Sequence, residues 1–288
     1  MGGEGGIRIE HLRPGQLDAL IETQNVIFQD YLIPMKSTRQ FFLDFQRSVG
    51  GSLDNIFVAL EGDDIVGYVN PVVDGREGWI GGVGVAPKYR GRGIGRTLML
   101  EAERFCRGRG VQDITLEVIE GNDRAQKLYE DLGYSGTRRY LTAEGRPAKF
   151  EGYGERPVPA SMSDLMSLHE RSYGDTCWQR KKTVALVQSA RPAECYRVDG
   201  GFVLIRVVDT NGFIPFLGVL PERRGKGIGA SLMKFALSRL WELGAFKVAV
   251  YNVNEDVPTL RLLDMFDFKI TLKQLEMKKG LKEARPYA

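Results

Sequence analysis

Two six-residue runs decide the fold: RGRGIG at positions 90–95 and RGKGIG at positions 224–229. They stand 134 residues apart (224 − 90), and the same offset relates Val85 to Val219, Leu98 to Leu232, Leu128 to Leu262 and Tyr134 to Phe268. A chance glycine run would not hold that register, so the chain reads as two copies of one unit. In each copy three glycines at alternating positions permit turn dihedrals that a Cβ would resist, which frees successive N–H groups to point at one spot. The spacing then becomes helical. Ile94, Leu98, Ala102 and Phe105 share a face in the first copy, and Ile228, Leu232, Ala236 and Leu240 share one in the second. A helix starting there adds unpaired N–H groups and the positive end of its dipole, the makings of a phosphate site. Arg90, Arg92 and Arg96, with Arg224 and Lys226, are expected to add mobile positive charge. The plainer reading, a strand-to-helix connection with solvated arginines, is disfavoured by repetition at fixed spacing.

Two nucleotide motifs are excluded. A dinucleotide fingerprint GxGxxG fails because Arg96 or Leu98 occupies its last position, and neither copy offers the GK[ST] of a P-loop. The run does match RxxGxG, as Arg90, Gly93, Gly95 and as Arg224, Gly227, Gly229. In this it resembles the pyrophosphate loop of the GCN5-related N-acetyltransferase (GNAT) superfamily, which binds acyl-coenzyme A. The resemblance implies an α/β fold of two tandem GNAT-like domains, each a mixed, mostly antiparallel sheet with a splayed parallel strand pair flanked by helices. It further implies an N-acetyltransferase that moves an acetyl group from acetyl-CoA to a primary amine by direct attack. The cofactor-binding residues carried over are Val83, Gly84, Val85, Arg90, Gly91, Arg92, Gly93, Ile94, Gly95 and Arg96. Their counterparts are Leu217, Gly218, Val219, Gly225, Lys226, Gly227, Ile228, Gly229 and Ala230.

Composition narrows the field. At 288 residues the chain can build two cores, and 40 Lys+Arg against 37 Asp+Glu leaves a net charge of +3 with no electrostatic footprint for nucleic acid. No apolar run approaches the roughly 20 residues of a membrane span, and the start MGGEGGIRIE lacks the apolar stretch of a signal peptide. A cytoplasmic monomer or homodimer is expected, with no membrane partner and an amine acceptor that is either a small molecule or a protein. Cys106, Cys177 and Cys195 make neither a disulfide framework nor a metal site, and His11 and His169 are the only histidines. Cys106 reads as core.

Periodicity and turn residues place helices at 14–30, 38–48, 93–107 and 122–132, and strands at 7–10, 55–60, 65–71, 79–85, 113–119 and 134–141, with a further strand at 149–153. The glycines of 79–85 signal a bulge or a ligand's close approach. GYGERPVPAS, positions 152–161, lacks periodicity and is taken as the junction, giving domains 1–154 and 155–288. The second half repeats the order: helices at 162–172, at 178–189 and after Gly227, and strands at 194–198, 201–208, 213–219, 246–251 and 269–277.

The stretch LEVIEGNDRAQKLYEDLGY, positions 116–134, looks like the second family motif in its ribosomal-protein alanine N-acetyltransferase form. Carried over, Asn122 would hydrogen-bond the cofactor, Tyr129 would be the general acid and Glu117 the general base. Tyr129 could otherwise be a core aromatic, and Glu117 a bystander on the wetter face of its strand. Many relatives put a glutamate in the preceding strand where this chain has Trp79. In the second half Tyr251, Asp256 and Leu263 replace Glu117, Asn122 and Tyr129, so the first half is expected to do chemistry and the second to bind cofactor or support the fold. Two alternatives stand beside this: activity in the carboxy-terminal half, as a resemblance to mycothiol synthase suggests, or a non-catalytic acyl-CoA-binding regulator. Tyr31, Pro34 and Phe42 are candidates for the acceptor pocket, Phe42 more as packing.

Overall fold

The computed structural model describes residues 6–32, 36–173, 176–181 and 193–281. The principal elements of its first half are β1 (Arg8–His11), α1 (Leu17–Ile27), α2 (Arg39–Val49), β2 (Phe57–Glu61), β3 (Asp64–Asp74), β4 (Glu77–Val85), α3 (Ile94–Gly108), β5 (Asp113–Ile119), α4 (Asp123–Asp131) and β6 (Ser135–Gly145). The second half continues with β7 (Val158–Pro159), α5 (Met162–Ser172), β8 (Ala193–Val198), β9 (Gly201–Val208), β10 (Asn211–Val219), α6 (Ile228–Glu242), β11 (Lys247–Asn254), α7 (Val257–Met265) and β12 (Lys269–Gly280). Residues 178–181 are helical, and the remainder of the helix expected at 178–189 lies outside the described residues. Among the described residues no helix is long and apolar enough to cross a membrane.

Two compact units emerge, Met1–Thr137 with Leu275–Ala288, and Arg138–Gln274. In unit 1 the sheet runs β1-β2-β3-β4-β5, followed by the last residues of β12 and the first of β6. Its strands pair antiparallel except for β4 and β5, which are parallel across the α3 crossover. β2 shows why two layers form: Phe57 and Ala59 face the core under α3 and α4, whereas Val58 and Leu60 face the core under α1 and α2. Thr38 caps α2 through Phe41 N–H at 3.2 Å, and Gly50 closes it in the left-handed region at φ 72°.

Unit 2 repeats the plan, with β10 and β11 as its parallel pair and β6 inserted between β11 and the start of β12. Phe202 and Leu204 of β9 face α5, whereas Val203 and Ile205 face α6. The expected division at 154/155 and these units make different cuts, because β6 and β12 each begin in one unit and end in the other. The strand expected at 149–153 does not form: Phe150 N–H goes to Ser238 Oγ at 2.9 Å in place of a ladder partner, and Gly152 turns the backbone at φ 69°. Unit 1 completes its sheet with residues 275–280, which sequence reading assigned to the far end of the second half.

One ion pair fixes that terminal strand. Lys279 Nζ lies 2.6 Å from Glu103 Oε2 on α3, where the glutamate is 3% exposed. Removing one partner of such a pair strands a buried charge. Lys279→Met is therefore expected to lower the stability of unit 1 by about 3 kcal/mol, and the Glu103→Met/Lys279→Met double variant to recover most of it. Urea unfolding of the single and double variants checks both.

Candidate functional site

β4 and β5 hydrogen-bond in parallel for three positions only, Glu77–Asp113, Gly78–Ile114 and Trp79–Thr115, and then part. The parting coincides with a bulge in which Gly81 and Gly82 of β4 oppose one residue of β3, as the glycines foretold. A Cβ on Gly81 would stand 2.6 Å from the Trp79 ring, so this glycine makes room for the indole. Beyond the bulge Val83, Gly84 and Val85 pair with β3 on one side and line a cleft of about 570 Å³ on the other. Gly84 also lets α1 approach, since its Cβ would meet Ile27 Cγ2 at 2.5 Å.

The far end of the cleft is the RGRGIG loop. Gly91 and Gly93 hold φ at 84° and 78°, a region closed to most side chains, and Gly93 stands at the N-cap of α3. The first intrahelical bond is Thr97 N–H to Gly93 O at 3.1 Å, which leaves the N–H groups of Ile94, Gly95 and Arg96 without helical acceptors at the positive end of the dipole. Gly91, Gly93, Ile94, Gly95 and Arg96 all line the cleft. Unit 2 builds the same loop, with Gly225 and Gly227 at φ 76° and 78° and Ser231 N–H bonded to Gly227 O at 3.0 Å. Its cleft, about 590 Å³, is lined by Leu217, Gly218, Val219, Gly225, Gly227, Ile228 and Gly229, whereas Lys226 and Ala230 lie off its wall.

The expected mobile charge of the first arginine is corrected in both copies. Arg90 donates to Val85 O at 3.1 Å, to Ile27 O at 3.0 Å and to both oxygens of Asp30 at 2.8 and 3.0 Å. Arg224 does likewise, to Val219 O at 3.2 Å and Ser172 O at 2.7 Å. A guanidinium fork suits this work, because its planar donors tie the end of the strand to the end of the preceding helix. Arg92 is also engaged, with Glu61 at 3.0 Å and its guanidinium 5.3 Å from the centre of the Tyr89 ring, off the cleft wall.

Asn122 and Tyr129 come to the cleft from α4. Asn122 caps that helix, its Oδ1 accepting from Ala125 N–H at 3.2 Å, while its Nδ2 donates to the Tyr31 hydroxyl at 3.3 Å. Tyr129 is nearly buried, edge-on to Tyr134 at 6.1 Å. Burial, with the Tyr31 and Tyr68 hydroxyls nearby, pushes its phenol far above the ordinary range and keeps it protonated. Tyr31 lines the cleft as well, Phe42 packs in the core beneath α1 and α2, and Pro34 lies outside the described residues. Cys106 is wholly buried.

Glu117 is set apart from these groups. It lies two residues past the last β4–β5 pair, half-buried and not among the residues lining the cleft, and Trp79 Nε1 donates to its Oε2 at 2.7 Å. Its Oε1 is buried with no hydrogen-bond partner among the described residues. Burial pushes the carboxyl up to about 8, the Trp79 N–H pulls it down, and Glu276 adds repulsion. Sequence reading treated Trp79 as the loss of a glutamate, whereas here it is the indole that holds one. Unit 2 has no such pair: Phe213 and Tyr251, at the same register, stack with ring centres 5.8 Å apart.

The acetyltransferase (GNAT) family model matches residues 18–134 and 166–268. The chain belongs to the acetyltransferase (GNAT) family. It is similar in fold to a GCN5-related N-acetyltransferase from Sphaerobacter thermophilus, at 16% identity over 95% of each chain with TM-score 0.76. A putative acetyltransferase from Pyrococcus horikoshii matches at 20% identity over 99% of this chain and 93% of that one, TM-score 0.68. A tandem GNAT protein from the clavulanic acid biosynthesis pathway matches at 14% identity over 96% and 98%, TM-score 0.68. Membership supports acyl-CoA-dependent N-acetyltransferase chemistry in general.

The raised pKa of Glu117 has a stability consequence. Between the unfolded value near 4.5 and about 8 the folded chain binds more protons at this site than the unfolded one, so stability falls as pH rises through that window. Glu117→Gln carries no such term. Its stability relative to wild type is expected to grow from pH 5 to pH 9 by on the order of a few kcal/mol, read from urea midpoints at each pH.

Proposed function

We propose that the chain is an N-acetyltransferase that transfers an acetyl group from acetyl-CoA to a primary amine, with its catalytic centre in unit 1. The observation that carries this reading is the joint placement, around one splayed strand pair, of an anion-receiving helix start, an open β4 edge, a protonated phenol and a buried carboxylate of raised pKa. The residues fit the cofactor: three N–H groups without helical acceptors stand at a helix start that can receive a diphosphate, and the edge of Val83–Val85 that β5 leaves can receive an extended amide arm.

When bound, acetyl-CoA supplies an activated thioester. The loop Gly91–Gly95 and the start of α3 would hold its phosphates, and Val83–Val85 would orient its arm. An alkylamine of ordinary pKa, about 10.4, must lose a proton before it can attack. Glu117, with a pKa of about 8, is poised near neutrality to accept it. The Trp79 N–H fixes the orientation of its carboxyl. Tyr129, on the cleft wall and protonated, would donate its hydroxyl proton to the departing sulfur. Holding amine and thioester together in the cleft supplies much of the acceleration.

Unit 2 lacks the acid and the base at matching positions, which favours a cofactor-binding or supporting role there. Release of free thiol, followed colorimetrically across an amine panel, tests the assignment. Tyr129→Phe and Glu117→Gln are each expected to lower kcat by about 100-fold or more with little change in acetyl-CoA affinity. Trp79→Phe removes the donor that favours the carboxylate, so the rising limb of kcat against pH should move upward. Full turnover in both Tyr129→Phe and Glu117→Gln would place the chemistry elsewhere.

A further inference from the structure

We propose that the cleft of unit 2 receives a ligand carboxylate on Arg180, an inference that rests on the reading that this cleft binds coenzyme A. Arg180 is 5% exposed and lines the cleft. It donates to Tyr251 O at 2.9 Å and to the Tyr173 hydroxyl at 3.2 Å, two neutral acceptors for five N–H groups. Its guanidinium lies 5.2 Å from the centre of the Tyr173 ring and 5.2 Å from that of Phe216. Among the described residues no carboxylate pairs with it. A buried cation without a counter-ion is costly, and aromatic faces and carbonyls compensate it only in part.

Its neighbour His169 offers no counter-charge either. His169 packs against Tyr173 and Phe216 with ring centres 4.7 and 4.5 Å apart, and its Nδ1 is buried without a hydrogen-bond partner. Burial, and then the charge of Arg180, push it down to about 4, so it adds no charge of its own at neutral pH.

Position defines the ligand. β10 and β11 pair in parallel through Phe213–Ala249 and then part. Tyr173 donates its hydroxyl hydrogen to Leu217 O on β10, and Arg180 reaches Tyr251 O on β11, where Asn252 takes the left-handed conformation at φ 52°. Arg180 and Tyr173 together thus link the two strands across the opened gap, whereas the phosphate loop Gly225–Gly229 forms the other part of the wall. A coenzyme A arm laid along Leu217–Val219 would bring its thioester end to Arg180. The chemistry that completes the site is a carboxylate with two oxygens for the guanidinium fork. It comes either from the far end of a dicarboxylic acyl group or from an amino-acid acceptor.

Calorimetry on the full chain carrying Gly95→Glu isolates this cleft, because that substitution sets a carboxylate at the start of α3 in unit 1 where the backbone tolerates a side chain. Succinyl-CoA is expected to bind roughly tenfold or more tighter than acetyl-CoA, the preference falling to about twofold in Arg180→Met. Arg180→Lys keeps the charge but not the fork. It should retain a reduced preference, and it decides the matter if Arg180→Met fails to melt cooperatively. If the two thioesters bind alike, glycine or succinate titrated with coenzyme A must bind in an Arg180-dependent way, which would place the carboxylate on the acceptor. Equal thioester affinities with no Arg180-dependent binding of either acid overturn the proposal and leave the cofactor reading standing. Absence of heat with every coenzyme A species, from a chain that melts as wild type, removes both.

Discussion

Parallel strands that pair for three residues and then separate create a problem that the rest of each unit answers. The backbone groups beyond the last pair need partners, and a buried strand edge with none is costly. In unit 1 Arg90 satisfies Val85 O, and the rest of the β4 edge opens onto a cleft, where a ligand could bring partners. In unit 2 part of the same demand is met from within, by Tyr173 on Leu217 O and Arg180 on Tyr251 O. One backbone device thus yields one edge left largely open and one edge more fully occupied.

The separation is maintained at both ends of each strand's open stretch. A bulge turns β4 at Gly81–Gly82, and β10 turns at the same register, where Pro215 replaces Gly81. Proline suits that place because a bulge has no ladder hydrogen bond for it to break. The arginine that opens each glycine run then ties the end of the strand to the end of the preceding helix, through Val85 and Ile27 in one copy and Val219 and Ser172 in the other. The glycines supply a cradle and the arginine holds it in position. This division of labour explains how one short run can build the same loop over two different floors.

Much of this was legible in the sequence because its causes are local. Alternating glycines, the 3.6-residue period of α3 and α6, and the alternation in β5 each report on backbone a few residues away. Even the bulge was signalled by Gly81, Gly82 and Gly84. What escaped depends on partners far along the chain. The pattern of 269–277 says strand but not which sheet, and so the strand completing unit 1 was sought at 149–153. Arg90 looked like mobile charge because Asp30 and the Ile27 carbonyl stand some 60 residues earlier. Trp79 was read as an absence because its indole N–H meets Glu117 only across the last pair before β4 and β5 part.

That last pairing explains how the two copies diverge without disturbing the fold. The floor position of β4 and the matching position of β5 are Trp79 and Glu117 in unit 1, Phe213 and Tyr251 in unit 2. Both pairs bridge the first opened step, one by a hydrogen bond to a buried carboxylate and the other by stacking. Either is compatible with the backbone, because both copies keep the same parallel pairing on the near side of the parting. They differ in charge and in proton affinity: the first carries a group that titrates near neutrality, and the second carries a phenol that burial pushes above its ordinary value. Proton-accepting capacity therefore resides at a position whose packing does not require it, which is where a duplicated fold can gain or lose chemistry at little structural cost. In unit 2 the buried charged group near the parting of the strands is instead a cation, Arg180, on the segment after α5.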